Sequence, residues 1–210
     1  GLPLAVWLDL RNLTESALRR QATDLNSVVT SMRSFYATNV VARVLASAGT
    51  TQVTHNYESI PGAIPIPATL SLELGRVISE KQQNIVYRFV SDHPFRNRKP
   101  HALDDFEVAA LGTLRADPTR VITEVKESLF SDRVRLIAPV IMGAACVSCH
   151  NSHVESVKKD WKVGDVRGLQ EVSITQPFAD NLFSFKYLLI YFALLAVTGA
   201  TFIYLQRRQS

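Results

Sequence analysis

The sequence predicts an α+β fold: a small antiparallel sheet with flanking helices, one long N-terminal helix and one C-terminal transmembrane helix. Three observations lead there. Asp9 to Ala46 contains neither Pro nor Gly, four short mid-chain segments read as strands, and Tyr187 to Leu205 is a run of 19 residues without a charge. The 210 residues give room for one domain of ordinary size plus extra elements. An apolar share of 47% supports a packed core, and a charged share of 20% argues against wholesale disorder. The net charge of +4, with Lys and Arg dispersed, is no nucleic-acid footprint, so no nucleic-acid partner is expected.

The elements follow in order. Residues 1–8 (GLPLAVWL) are apolar and too short to span a bilayer, and read as the end of a first membrane segment or of a signal peptide. Gly1 in place of Met points to a piece of a longer polypeptide. Residues 9–46 form one long helix, with Leu18, Ala22, Leu25, Val29, Met32 and Tyr36 at alternating steps of four and three. That stripe suits packing on the domain itself and a homodimer seam about equally. Residues 47–180 make the domain proper. Ile60–Pro67 is extended, because three prolines remove donors and fix φ. Thr69–Gln82 is a helix, Asn84–Val90 a strand, and Asp104–Leu114 a short helix whose two leading Asp suit its positive end. Arg120–Glu127 and Arg133–Val140 form a hairpin joined by Ser128–Asp132, and Arg167–Ile174 is the last strand.

The uncharged run 187–205 is about 28 Å long as a helix, close to the hydrocarbon thickness of a bilayer. Tyr187, Tyr191 and Tyr204 sit near its ends, as interfacial aromatics do. Arg207 and Arg208 follow it, against Lys186 alone on the other side, which orients residues 206–210 to the cytoplasm and the domain to the periplasm.

Both cysteines lie in one motif, Cys146-Val147-Ser148-Cys149-His150. C-x-x-C-H reads as attachment of one covalent haem c: two thiols add to the porphyrin vinyl groups, and the His becomes an axial iron ligand. A zinc site, a redox dithiol and a disulfide are the alternatives. Zinc would need a distant fourth ligand, and no βαβ unit accompanies the dithiol. Covalent haem attachment takes place outside the cytoplasm, in agreement with the orientation from the Arg pair.

Five ordered segments carry a resemblance: Ser34–Val41 (SFYATNVV), Ile60–Thr69 (IPGAIPIPAT), Phe89–Arg98 (FVSDHPFRNR), Cys146–His153 (CVSCHNSH) and Asp160–Gly168 (DWKVGDVRG). Together they resemble the periplasmic PAS-like single-haem c sensor domains of bacterial membrane receptors, over roughly residues 31–174. The resemblance implies a PAS-like antiparallel sheet between two membrane helices, followed in the full protein by a kinase, nucleotide cyclase or chemoreceptor module. It implies no catalytic residue in the chain itself.

Other residues have two readings each. Arg96 and Arg98, with Lys99, could pair with haem propionates through the guanidinium fork, or form a solvated loop. Arg167 beside Asp165 is a further propionate candidate or a turn bridge. Trp161 could pack on the porphyrin edge or simply in the core. His153 reads as a supporting or surface residue. For the sixth iron position His55 is the favoured candidate; His93, His101, Met32 and an open site are the others, and an open site would admit a small-molecule or gas ligand. Two functions compete: a sensor domain of a transmembrane receptor, and a membrane-anchored electron-transfer cytochrome.

Overall fold

The computed structural model describes residues 2–96, 98–99, 101–128, 131–177 and 186–209. Two compact units divide the chain, Gly1–Lys126 with Arg133–Thr175, and Glu127–Asp132 with Gln176–Ser210.

In the first unit the long helix is continuous in its backbone: α1 (Leu2–Phe35), a π-helical stretch (Tyr36–Val41) and α2 (Ala42–Ala46). Residues 2–8, read from sequence as a separate segment, continue the same helix; Gly1 lies outside the described residues. The π stretch was not foreseen. Such insertions often mark functional positions, and here Tyr36 opens it and donates from Oη to the Pro65 carbonyl at 2.8 Å.

β1 (Val53–Thr54) pairs in parallel with β2 (Ile64–Pro65), a two-stranded unit within the segment expected as plain loop. α3 (Pro67–Lys81) then starts with Pro at its first turn, where the missing N–H costs nothing. The main sheet contains β3 (Ile85–Val90), β4 (Ile122–Glu127), β5 (Ser131–Ile141) and β6 (Val166–Pro177), in the order β3-β6-β5-β4. β3 and β6 are antiparallel, with Ile85 opposite Ile174 and Val90 opposite Leu169. Between β3 and β4 lies α4 (Asp105–Ala116), opened by a capping box in which Asp104 Oδ1 accepts from Glu107 N and Glu107 Oε2 accepts from Asp104 N.

Each face of the sheet has its own cover. Ile85, Tyr87, Val134, Leu136, Val172 and Ile174 pack with Leu18, Ala22 and Val29 of α1 and with Leu74 and Ile78 of α3. The stripe on the long helix is therefore spent largely inside the domain: Leu18, Ala22 and Val29 are buried, while Met32 is 44% exposed. Leu18 is thereby taken up inside the domain. On the other face Val90, Ile137, Val166 and Leu169 pack with Ala110, Leu111 and Leu114 of α4.

A charged network sits beside that second core. Arg135, 2% exposed, donates from Nε to Glu171 at 2.9 Å, from Nη1 to Asp104 at 2.7 Å and from Nη2 to Glu107 at 3.3 Å. Arg88 Nη2 donates to Glu107 at 2.7 Å and to Glu171 at 3.0 Å. Both glutamates are fully buried, so each depends on these guanidinium groups.

In the second unit, Ser128 N donates to the Ser131 carbonyl at 3.0 Å across the expected hairpin turn, whose residues 129–130 lie outside those described. So do residues 178–185, the end of the expected domain. α6 (Lys186–Gln209) contains one stretch, Leu189–Gln209, long and apolar enough to cross a membrane, with mean hydropathy 1.8.

Candidate functional site

The motif lies on α5 (Ala144–Ser152), a nine-residue helix where the sequence suggested only a turn of chain. Helical spacing puts Cys146 and Cys149 on one face, with His150 one turn from Cys146. Both thiols are free and exposed. Burial and the neighbouring Cys146 push the Cys149 thiol upward.

The base of this helix is fixed to the sheet. Met142, fully enclosed just beyond β5, donates from N to the Asp165 carbonyl at 2.9 Å and accepts from Gly164 N at 2.9 Å. Gly164 has φ +94°, a conformation that suits glycine. At the other end Asn151 exchanges two bonds of 2.9 Å with the Trp161 backbone.

Four rings converge on the motif. Phe95 lies 4.8 Å from the His150 ring and is stacked on His153 at 5.0 Å, with an interplanar angle of 11°. His55, on the exposed turn directly after β1, meets His153 edge-on at 5.5 Å. Thus His55, the sixth-position candidate from sequence, reaches His153, three residues beyond the motif, from the turn after β1. His153 belongs to the same cluster. Phe95 was missed, its one sequence signal being its place inside HPFRNR, and His153 was read as a supporting or surface residue.

Arg167, at the start of β6, closes the cluster from the sheet side. Its Nε donates to His150 Nδ1 at 3.3 Å, Nη1 to Ser91 Oγ, and Nη2 to the His93 carbonyl. Its guanidinium lies over the rings of Trp161, at 5.4 Å, and Phe95, at 5.9 Å. Burial, the Arg167 charge and His153 push the His150 imidazole down to about 4. It is therefore neutral at physiological pH, the form that binds a metal. Trp161 is buried, with His93 edge-on at 5.8 Å.

Gly168 makes the position of Arg167 possible. A Cβ there would stand 2.6 Å from the Val90 carbonyl oxygen and 3.0 Å from Ser91 Cβ, so only glycine lets β6 run so close to the end of β3. Gly168→Ala is expected to cost about 1–3 kcal/mol through overpacking. Thermal melts beside Gly143→Ala, whose Cβ meets nothing within 4 Å, check this; equal melting temperatures for the two variants would refute the steric reading.

The remaining sequence candidates fall in different places. Arg96 is tied to the segment after α5, its Nη1 donating to the Val154 carbonyl at 3.2 Å and its backbone N to the Glu155 carbonyl at 3.0 Å. Arg98 is exposed, with a backbone bond to the Phe95 carbonyl at 2.9 Å. His93 engages Asp92 through Nδ1 at 2.7 Å. His101 bonds Glu107 at 2.9 Å and joins the charged network instead of the motif. Among the described residues no group of three or more His, Cys, Asp and Glu side chains is arranged to hold a metal ion.

Comparison with known proteins adds three findings. No curated protein sequence matches the chain. The crystal structure of the cyanobacterial haem protein Tll0287 is similar with a TM-score of 0.49 and 17% identity, over 73% of this chain and 96% of that one. The Tll0287-like family model matches residues 11–175, which take in the long helix from Arg11 onward, the motif and the main sheet up to Thr175. By that match the chain belongs to the Tll0287-like family.

Proposed function

We propose that this chain is the extracytoplasmic haem c domain of a membrane-bound receptor, carrying one covalent haem and passing its state to a cytoplasmic output module. The observation that carries the haem reading is the presentation of α5: two accessible thiols on one helical face and a neutral imidazole one turn away. The donor set fits haem c: with the Arg167 Nε–H on Nδ1 the neutral ring carries its proton on Nε2, and that proton would move to Nδ1 for Nε2 to bind iron. Membership of a family whose namesake is described as a haem protein adds support.

When bound, the haem supplies one-electron chemistry and an iron coordination position. The chain's own residues do the rest. Cys146 and Cys149 tether it, and His150 supplies one axial nitrogen. Phe95 and Trp161 exclude water from that side, and Arg96 and Arg98 are available to its propionates. His55 would supply a second nitrogen to its iron. His55→Ala is expected to convert a low-spin ferric spectrum to a high-spin one, whereas the exposed Met32→Ala leaves it unchanged. A low-spin His55→Ala protein with an unaltered midpoint potential would remove His55 from the iron.

The apolar α6, with Arg207 and Arg208 at its end, supports a membrane anchor with the C-terminus in the cytoplasm. The sensor reading is supported by the continuous helix from Leu2 to Ala46, packed on the sheet that carries the motif. It is tested by hydrogen exchange of the ferric and ferrous protein. A receptor changes protection along α1 and β6, and an electron carrier, the alternative, changes only around α5. A second copy of the chain is the partner proposed for the outer side of α1, where Leu13, Ala17 and Val28 are exposed beside Arg20 and Asp24. Val28→Cys in haem-loaded membranes is expected to give a disulfide dimer; a monomer at both Val28→Cys and Ala17→Cys excludes that face.

A further inference from the structure

Arg167 invites a role of its own. An iron-bound histidine ordinarily donates its second N–H to a carboxylate, a carbonyl or water, which raises the basicity of the ligand and steadies the higher oxidation state. Around His150 the arrangement is reversed. The group at Nδ1 is a guanidinium, a cation and a donor. All three of its nitrogens are engaged, on His150, on Ser91 Oγ and on the His93 carbonyl. No carboxylate among the described residues forms an ion pair with it. Asp92, nearby, is held by Arg115 through two bonds of 2.8 Å and by His93. The rings of Trp161 and Phe95 border the guanidinium, so its charge is less screened than it would be in water.

Resting on the haem reading above, we propose that Arg167 is a positioning residue that holds a positive charge against the axial imidazole of His150, weakens it as an electron donor and so favours ferrous over ferric haem. Iron on Nε2 would move the ring proton to Nδ1, ending the bond from Arg167 Nε while leaving the guanidinium beside the ring on its two other partners. Ser91 Oγ and the His93 carbonyl keep the guanidinium in place, and the close approach of β6 at Gly168 sets its distance. Ferric iron carries one more positive charge than ferrous, so removing the Arg167 charge shifts the equilibrium toward ferric haem.

The test is spectroelectrochemistry of the full-length, haem-loaded protein as wild type, Arg167→Gln and Arg167→Lys, with haem content stained in the same samples. The expected result is a lower midpoint potential in Arg167→Gln and recovery of most of the shift in Arg167→Lys. A haem-loaded Arg167→Gln at the wild-type potential overturns the inference, as does an equal fall in both variants, which would assign the effect to packing. A wild type without haem overturns the haem reading instead, and the two failures are thereby distinct. Should Arg167→Gln not load, the wild type still decides: the Arg167 Nε–H resonance, assigned by its loss in Arg167→Lys, shifts between the ferrous and the paramagnetic ferric states. An unshifted resonance overturns the proposal.

Discussion

Replacing both Cys146 and Cys149 by Ala is expected to abolish covalent haem completely in cells that possess the attachment machinery. Thioether formation needs a sulfur at each vinyl group, and the chain has no cysteine besides these two. Single replacements leave one thioether and a weaker stain. Both side chains are exposed, and exposed substitutions usually change stability by less than about 0.5 kcal/mol. The apoprotein of the double variant is therefore expected to melt with the wild-type apoprotein, so loss of haem reports on attachment and not on folding. Haem staining after denaturing electrophoresis is the measurement. A stained double variant would mean that α5 is not the attachment site.

The largest effect on stability is expected at Arg135. Arg135→Met strands two fully buried carboxylates, Glu107 and Glu171, with Arg88 the one arginine left to serve both and His101 beside Glu107 alone. Removing one partner of a buried ion network costs about 3–5 kcal/mol, a large fraction of the ~5–15 kcal/mol that holds a domain together. Urea denaturation of the haem-free protein reads this directly, and a loss below about 1 kcal/mol would show that the network is dispensable. Replacing Arg135 and Glu171 together by apolar residues is expected to cost less than the single Arg135 change, since fewer stranded charges remain. The network also has a pH signature. Burial alone would raise the Glu171 carboxyl, but the Arg135 hydrogen bond and the charges of Arg88 and Arg135 outweigh it and hold it below its ordinary value of 4.5. A carboxyl lowered in the folded state contributes stability above its unfolded value, and loses it as pH falls through the folded one. Acid unfolding should therefore be blunted in Arg135→Met, where that contribution is already gone.

How much of this was legible in the sequence depended on the kind of signal. The helices read at Thr69–Gln82 and Asp104–Leu114 and the strands of the main sheet followed from local rules, two leading Asp at a positive helix end and alternation in Asn84–Val90, although Pro67, read as the end of the extended segment, opens α3 and Asp104 caps α4. The C-x-x-C-H spacing carried the haem c proposal from the start. Long-range placements were harder. The heptad stripe could not tell an internal partner from a second chain, because Leu18 and Val29 meet the sheet through residues more than fifty positions away. The apolar-polar alternation of β5 gave no hint that Arg135 points inward, since its partners come from α4 and β6. Arg167 was legible as a cation near the site, but its target was not: only folding sets it against His150 instead of leaving its fork for a carboxylate.

The covalent haem itself is tested most directly by mass spectrometry of the wild-type protein made with periplasmic haem attachment. A proteolytic peptide containing residues 146–150 should carry the mass of one haem on its two cysteines. The same peptide recovered at its bare mass, with both thiols open to alkylation, would contradict it.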